Sequence, residues 1–164
     1  QAESLSPRDL NFAQKNLRIL SGLYGLLRPL DLIKPYRLEM GTQLENKRGE
    51  DLYDFWQDAI AEAIKSEFGN SKNPHLINLA SNEYFKAVDL RQLKGVRVIN
   101  PVFKDTSNGQ LKIISFYAKR ARGLMAQYII KQRLTQPEKL KSFDVDGYRY
   151  HPDLSSDRDW VFAR

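Results

Sequence analysis

Cysteine is absent from this chain of 164 residues, and histidine occurs only twice. The first absence excludes disulfides, thiolate metal sites and a cysteine nucleophile, and it fits a reducing compartment. The second leaves His75 and His151 far apart in sequence, too sparse for a zinc site or a Ser–His–Asp arrangement. Each reads as structural or exposed. No apolar run approaches the roughly 20 residues of a membrane span. GxxxxGK[ST], GxGxxG and GxSxG are all missing, as are internal repeats, low-complexity tracts and linkers. The chain opens on Gln1 rather than methionine, so it reads as a fragment or processed product, and the lack of an N-terminal signal carries no weight.

What is present is ordinary in amount and unusual in placement. Hydrophobic residues make up 41% and aromatics 11%, enough for a single globular domain over 1–164 and against disorder. The formal charge is +6, which points to an anionic partner. Between Lys94 and Arg133 lie nine basic residues (Lys94, Arg97, Lys104, Lys112, Lys119, Arg120, Arg122, Lys131, Arg133) and one acid, Asp105. That window alone carries 9 − 1 = +8, so the excess is local and the rest of the chain is slightly acidic.

Periodicity and turn chemistry predict a mixed α/β (α+β) fold: a partly antiparallel sheet with flanking helices. Ser6-Pro7-Arg8-Asp9 starts a helix running to about Leu17, with serine at the N-cap, proline at the first helical position and an acid in the first turn. A second helix is expected over 50–67, with Trp56, Ala59, Ile60, Ala63 and Ile64 inward. Asp54, Asp58 and Glu62 then repeat at i, i+4 on a solvated face, whose like charges and lack of histidine argue against a metal site. Short strands are expected at RILSGLYG, where the strand breaks into the 21–41 segment, at YRLEM (36–40) and at HLINLAS (75–81), the last one buried, with one or two helical turns over NEYFKAV. VRVINPVFKD (96–105) and QLKIISFYAK (110–119) read as a β-hairpin closed by Asn108-Gly109. A third helix is expected over 118–134 with Ala121, Leu124, Met125 and Tyr128 inward, and GYRYH and DWVFAR form a closing strand pair.

Three places could carry chemistry. Lys119, Arg120 and Arg122 are expected to crowd the first turn of the third helix, where cations are disfavoured by the dipole but suit a bound phosphate. Lys119, Arg122 and Arg133 share a face there, and a solvated face neutralised by a neighbour such as Asp105 is the plainer alternative. Second, NLASNEYF (78–85) ends a strand in Ser81, Asn82, Glu83 and Tyr84. That layout suits ligand binding at strand ends, or simple capping of the next helix by Ser81 or Asn82. Third, SGLYGLLRPLDLIKPYRLEMG (21–41) sets Gly22 and Gly25 in a GxxG beside Pro29, Pro35 and charges of both signs. It reads either as a buried connection with paired charges or as the floor of a site. Asp31, Glu39 and Glu83 could act as acid–base groups, though no pair is specified by spacing.

Taken together, LRILSGLYGLLRPLDLIKPYRLEMG, INLASNEYFKAV, INPVFKD and KIISFYAKRARGLMAQYII resemble the YaaA family of bacterial peroxide-stress proteins, over about Phe12 to Tyr148. The resemblance implies a cytoplasmic protein that helps bacteria survive hydrogen peroxide by restraining free intracellular iron and so protecting DNA. It further implies a basic cleft, and the +8 window and the cation-loaded helix start make double-stranded or distorted DNA the expected partner, with no cofactor and no membrane expected. The family's N-terminal segment, with its helix-hairpin-helix, has no counterpart here, so that motif does not carry over, and an open sheet edge is expected where the segment would pack. Lys119, Arg120, Arg122 and Arg133 of the basic helix at 118–133 carry over as cleft wall, and Lys112 is a further candidate for binding phosphate. Gly22, Tyr24, Gly25, Arg28, Tyr36, Arg37, Ser81, Asn82 and Tyr84 carry over as cleft floor, with Arg28 and Arg37 paired to Asp31 and Glu39 or aimed at phosphate. The competing reading is an enzyme acting on a nucleotide or nucleic-acid base, with Glu83 as acid or base and Arg120 and Arg122 holding phosphate. Direct iron binding is disfavoured by the want of ligands.

Overall fold

The structure, a computed structural model, describes residues 2–164. In chain order its main elements are α1 (Pro7–Asn16), the strands β1 (Ile19–Ser21) and β2 (Gly25–Leu27), the helices α2 (Leu52–Trp56) and α3 (Ala59–Glu67), β3 (His75–Ile77), α4 (Asn82–Phe85), β4 (Arg97–Ser107), β5 (Gln110–Lys112), α5 (Ser115–Gln132), β6 (Arg149–Tyr150) and β7 (Asp159–Ala163). The fold is mixed α/β. It gathers into two compact units: one holds residues up to Asp9 with 75–79 and 97–164, the other 10–74 and 80–96.

The first unit is built on a five-stranded mixed sheet of order β3-β4-β7-β6, with β5 pairing β4. β4 runs parallel to β3 and to β7, while β5 and β6 join antiparallel. Along β4 every second side chain (Ile99, Pro101, Phe103, Asp105) is buried, the period a one-sided strand requires. Pro101 sits in this central strand without cost to the ladder. The Asn100 and Thr106 N–H groups donate to the β7 side, so the odd-numbered residues face the other way, and β3 pairs no further than Ile99. The core combines Ile99 and Phe103 of β4, Ala118, Ala121 and Met125 of α5, Leu140, Phe143 and Tyr148 of the following turns, and Trp160 and Phe162 of β7. Leu124 and Tyr128 pack against it, as expected. Phe103 stacks on Phe162 at 5.6 Å and meets the edge of Tyr148 at 5.2 Å.

Local chemistry sets several boundaries. Ser6 and Asp9 form a reciprocal cap on α1: Ser6 Oγ accepts the Asp9 N–H at 3.3 Å, and Asp9 Oδ2 accepts the Ser6 N–H at 3.1 Å. Asn108 (φ 51°) and Gly109 (φ 73°) are both left-handed, so the Ser107–Gln110 turn is the tight hairpin anticipated. Two boundaries move. The ladder of the second hairpin run ends at Lys112, and α5 begins at Ser115, with the Ala118 N–H already bonded to the Ile114 carbonyl. The 75–81 run is a half-buried edge strand of three residues rather than a buried one, because among the described residues β4 is its only neighbour in the sheet.

In the second unit, the helix expected over 50–67 is two helices. Gln57, at φ 36° and ψ −118°, breaks it, and the phase shifts so that Ile60, Ala61 and Ile64 are buried while Ala59 is exposed. The cause is tertiary. The Trp56 indole N–H donates to the Gly22 carbonyl at 2.9 Å, which pins the end of α2 before the chain can continue. Residues 36–40 form no strand. Their backbone passes close under Gly22, where a β-carbon would lie 2.5 Å from the Leu38 carbonyl oxygen. An Arg18–Glu67 ion pair joins the end of α1 to the end of α3. Ala13, Met40, Leu52, Ile60, Ala61, Ile64, Ala87, Val88 and Leu93 are the buried apolar residues of this unit.

Candidate functional site

Within the second unit the breaker-rich segment is ordered by its own polar groups. The Ser21 hydroxyl, at 1% exposure, lies 2.5 Å from the Tyr36 hydroxyl and accepts the Tyr24 N–H at 3.0 Å. Tyr24 meets Tyr36 edge-on at 5.4 Å, and its own hydroxyl accepts the Lys34 N–H at 3.1 Å. Gly22 is required by the close approach of Leu38. Gly25 is required twice over: φ is +70°, and a β-carbon would meet the Trp56 ring at 2.7 Å. The GxxG is thus accounted for by packing inside the protein.

The α4 edge closes the same group. Ser81 caps α4, accepting the Tyr84 N–H at 3.4 Å, and Asn82 is exposed in its first turn. Glu83 Oε1 accepts the Gly41 N–H at 2.9 Å, and the Glu83 carbonyl accepts the Tyr53 hydroxyl at 3.0 Å. Burial raises the Tyr84 hydroxyl above the ordinary tyrosine value, and a backbone hydrogen bond with Met40 opposes the shift; the Glu83 charge adds to it. Ser21, Tyr24 and Tyr36 thus form one group, and Glu83 and Tyr84 reach the 36–41 segment through Gly41 and Met40. Chemically the cluster is a hydroxyl-rich scaffold, since among the described residues no base contacts the Ser21 hydroxyl. Arg28 turns back on its own loop, with Nε 3.1 Å from Asp31 Oδ1 and its N–H donating to Asp31 Oδ2 at 2.8 Å. Arg37 is exposed and makes no ion pair with Glu39 or any other described acid.

The basic helix lies in the first unit. Lys119, Arg120 and Arg122 occupy the second turn of α5, not the first, so the argument from a cation-loaded helix terminus does not hold. What distinguishes them is the shortage of partners. α5 contains no acid. Asp105, the neighbour expected to neutralise them, is buried instead beneath Arg164 and Tyr148: Arg164 Nε donates to Oδ1 at 2.6 Å and the Tyr148 hydroxyl to Oδ2 at 2.9 Å. That environment pushes the Tyr148 hydroxyl up to about 12, first by burial and then by its bond to Asp105. Asp146 Oδ2 lies 3.7 Å from Arg120 Nε but 2.8 Å from Arg164, so it serves Arg164 first. Arg133 is committed to Asp9 at 2.7 Å, and Arg97 to Glu138 at 2.8 Å.

Lys112, Lys119 and Arg122 have no ion pair among the described residues. Arg122 is half-buried, and burial alone, with no anion to offset it, pulls its guanidinium below the usual arginine value. Sequence reasoning missed Asp146 and Arg164, and it missed the distant partners of two residues it did name, Gly22 for Trp56 and Arg133 for Asp9, for which no local signal exists. It also missed Phe116 and Tyr117, whose position next to the cation triplet was a usable signal. Among the described residues no three His, Asp or Glu side chains could together hold a metal ion, and no helix is long and apolar enough to cross a membrane.

Comparison with known proteins gives the chain a place. A family model described as peroxide stress protein YaaA matches residues 1–154. UPF0246 proteins are similar throughout: the one from Cellvibrio japonicus is 59% identical over all of this chain, the one from Ralstonia pickettii 60% over 99% of it, and the one from Dechloromonas aromatica 57% over 99%. The chain spans 63% of the length of each of these three relatives. With such identity along its whole length, and a family model covering all but its last ten or so residues, the chain belongs to the YaaA family of peroxide stress proteins.

Proposed function

We propose that this protein serves the peroxide stress response by binding DNA through its phosphates along α5, and that any restraint on free iron follows indirectly. The observation that carries the reading is Arg122. A guanidinium that is partly desolvated and lacks a carboxylate is an unfavourable arrangement for an isolated protein, and an incoming phosphate supplies the missing countercharge. Lys112, Lys119 and Arg120 extend the same surface, exposed and without firm acidic partners. Contacts of this kind position a nucleic acid without reading its bases.

Salt dependence tests it. If Lys112, Lys119, Arg120 and Arg122 each meet one phosphate, log affinity of the full-length protein falls with log salt at a slope of about −3.6. Lys119→Ala/Arg120→Ala/Arg122→Ala together bring that slope to about −0.9. A slope unmoved by the triple variant removes α5 from the interface, and no DNA binding by the full-length protein removes the reading altogether.

A further inference from the structure

The outward face of α5 carries more than charge. Phe116 is 72% exposed, and Ile113, just before the helix, 62%. Leu111 and Tyr117 are exposed beside them. The Tyr117 ring has the Arg164 guanidinium 5.2 Å from its centre, whereas the Phe116 ring meets only the edge of Tyr117, at 5.8 Å. Phe116, Lys119, Arg120 and Gly123 follow at i, i+3, i+4 and i+7, which sets them along one helix face. At Gly123, leaving aside its chain neighbours and the backbone of its own helix, no atom of the described residues lies within 4 Å of where a β-carbon would stand. A glycine inside a helix costs stability, and among the described residues none crowds this one.

The geometry points to a base-stacking site: Phe116 takes the face of an unpaired nucleobase, Lys119 and Arg120 hold the flanking phosphates, and the bare backbone at Gly123 admits the strand close to the helix. The inference rests on the DNA reading above and adds to it which bases are engaged and by which ring. An aromatic ring offered to solvent beside cations matches single-stranded nucleic acid, whose bases stack and whose phosphates neutralise. A protein partner covering Phe116 would have to bury Lys119 and Arg120 as well, with no acid on α5 to offset them. A membrane surface fits less well, because the broad apolar face of α5 (Ala118, Ala121, Met125) is already spent on the core.

The test uses the full-length protein with a paired duplex and with the same duplex carrying an unpaired bulge that contains a fluorescent adenine analogue. Wild type is expected to bind the bulged duplex more tightly and to quench the analogue on stacking. Phe116→Ala loses about tenfold on the bulged duplex, with paired-duplex affinity and salt slope unchanged. Phe116→Trp keeps the preference and Phe116→Leu does not, since leucine supplies apolar area without a π-face. Gly123→Ala raises the melting temperature yet weakens bulge binding. Equal affinity of Phe116→Ala or Phe116→Leu and wild type overturns the stacking site while leaving the phosphate reading intact. Absence of any DNA binding by wild type overturns both. Loss of self-association, or of binding to anionic lipid vesicles, in Phe116→Ala with bulge affinity unchanged assigns the ring to a second copy or to a membrane and overturns the proposal.

Discussion

Glu83 Oε1 accepts the backbone N–H of Gly41 at 2.9 Å, so the carboxylate best placed to be read as a catalytic acid is occupied in fastening the 36–41 segment to α4. The Tyr53 hydroxyl ties down the backbone of the same residue. A clasp and a general acid–base group make different demands on substitution. Glutamine keeps an acceptor oxygen where the Gly41 N–H needs one, and alanine does not. Glu83→Gln is therefore expected to unfold in urea close to wild type, and Glu83→Ala measurably earlier, by about the worth of one ordinary hydrogen bond. Equal destabilisation of the two would argue against the clasp.

Gly25 faces two separate penalties, and they can be told apart. Its left-handed φ of +70° strains any side chain, and the Trp56 ring fills the place of the β-carbon. Gly25→Ala is expected to cost about 2–5 kcal/mol in urea unfolding, the sum of backbone strain and overpacking. Gly69, at φ +50° with nothing near it, supplies the control. Gly69→Ala carries the backbone term alone, about 1–2 kcal/mol. Equal losses at the two sites would show that the Trp56 contact relaxes.

Tyr148 ties stability to alkaline pH. Its hydroxyl, neutral in the fold up to about 12 against the ordinary tyrosine value of 10.0, is held there by burial and by the bond to Asp105. A folded-state value above the unfolded one stabilises the protein fully while both forms are protonated, and the benefit drains away as pH rises from about 10 to about 12. Urea midpoints should therefore fall across that window in wild type. In Tyr148→Phe the protein is less stable at neutral pH, since Asp105 loses a donor, but the alkaline decline is shallower. Parallel declines in the two proteins would mean that another group titrates.

Legibility followed distance along the chain. The start of α1 was readable because its cap lies within four residues, Ser6 to Asp9, and the hairpin because Asn108-Gly109 alone supplies both left-handed conformations. The stripe of Trp56, Ala59, Ile60, Ala63 and Ile64 was a sound helical pattern, yet it misled. Nothing near Gln57 announces that the Trp56 indole is bound to a carbonyl 34 residues away. The same holds for 36–40, whose β-like composition yields to a close approach at Gly22. On α5 the cations were visible and their setting was not, because the three residues before the expected start are themselves helical.

The sequence by itself determined the mixed α/β class, the concentration of positive charge between Lys94 and Arg133, and the family, because these depend on composition, periodicity and the order of segments. Only the tertiary structure decided which of those charges lack partners. Asp105 lies inside the basic window, yet it is claimed by Arg164, which is 59 residues further on, and Arg133 is claimed by Asp9, which is 124 residues earlier. Ion pairing is a contact across a few ångströms, and packing sets which side chains come that close, so the unpaired state of Lys119 and Arg122 becomes visible only after every acid has been placed.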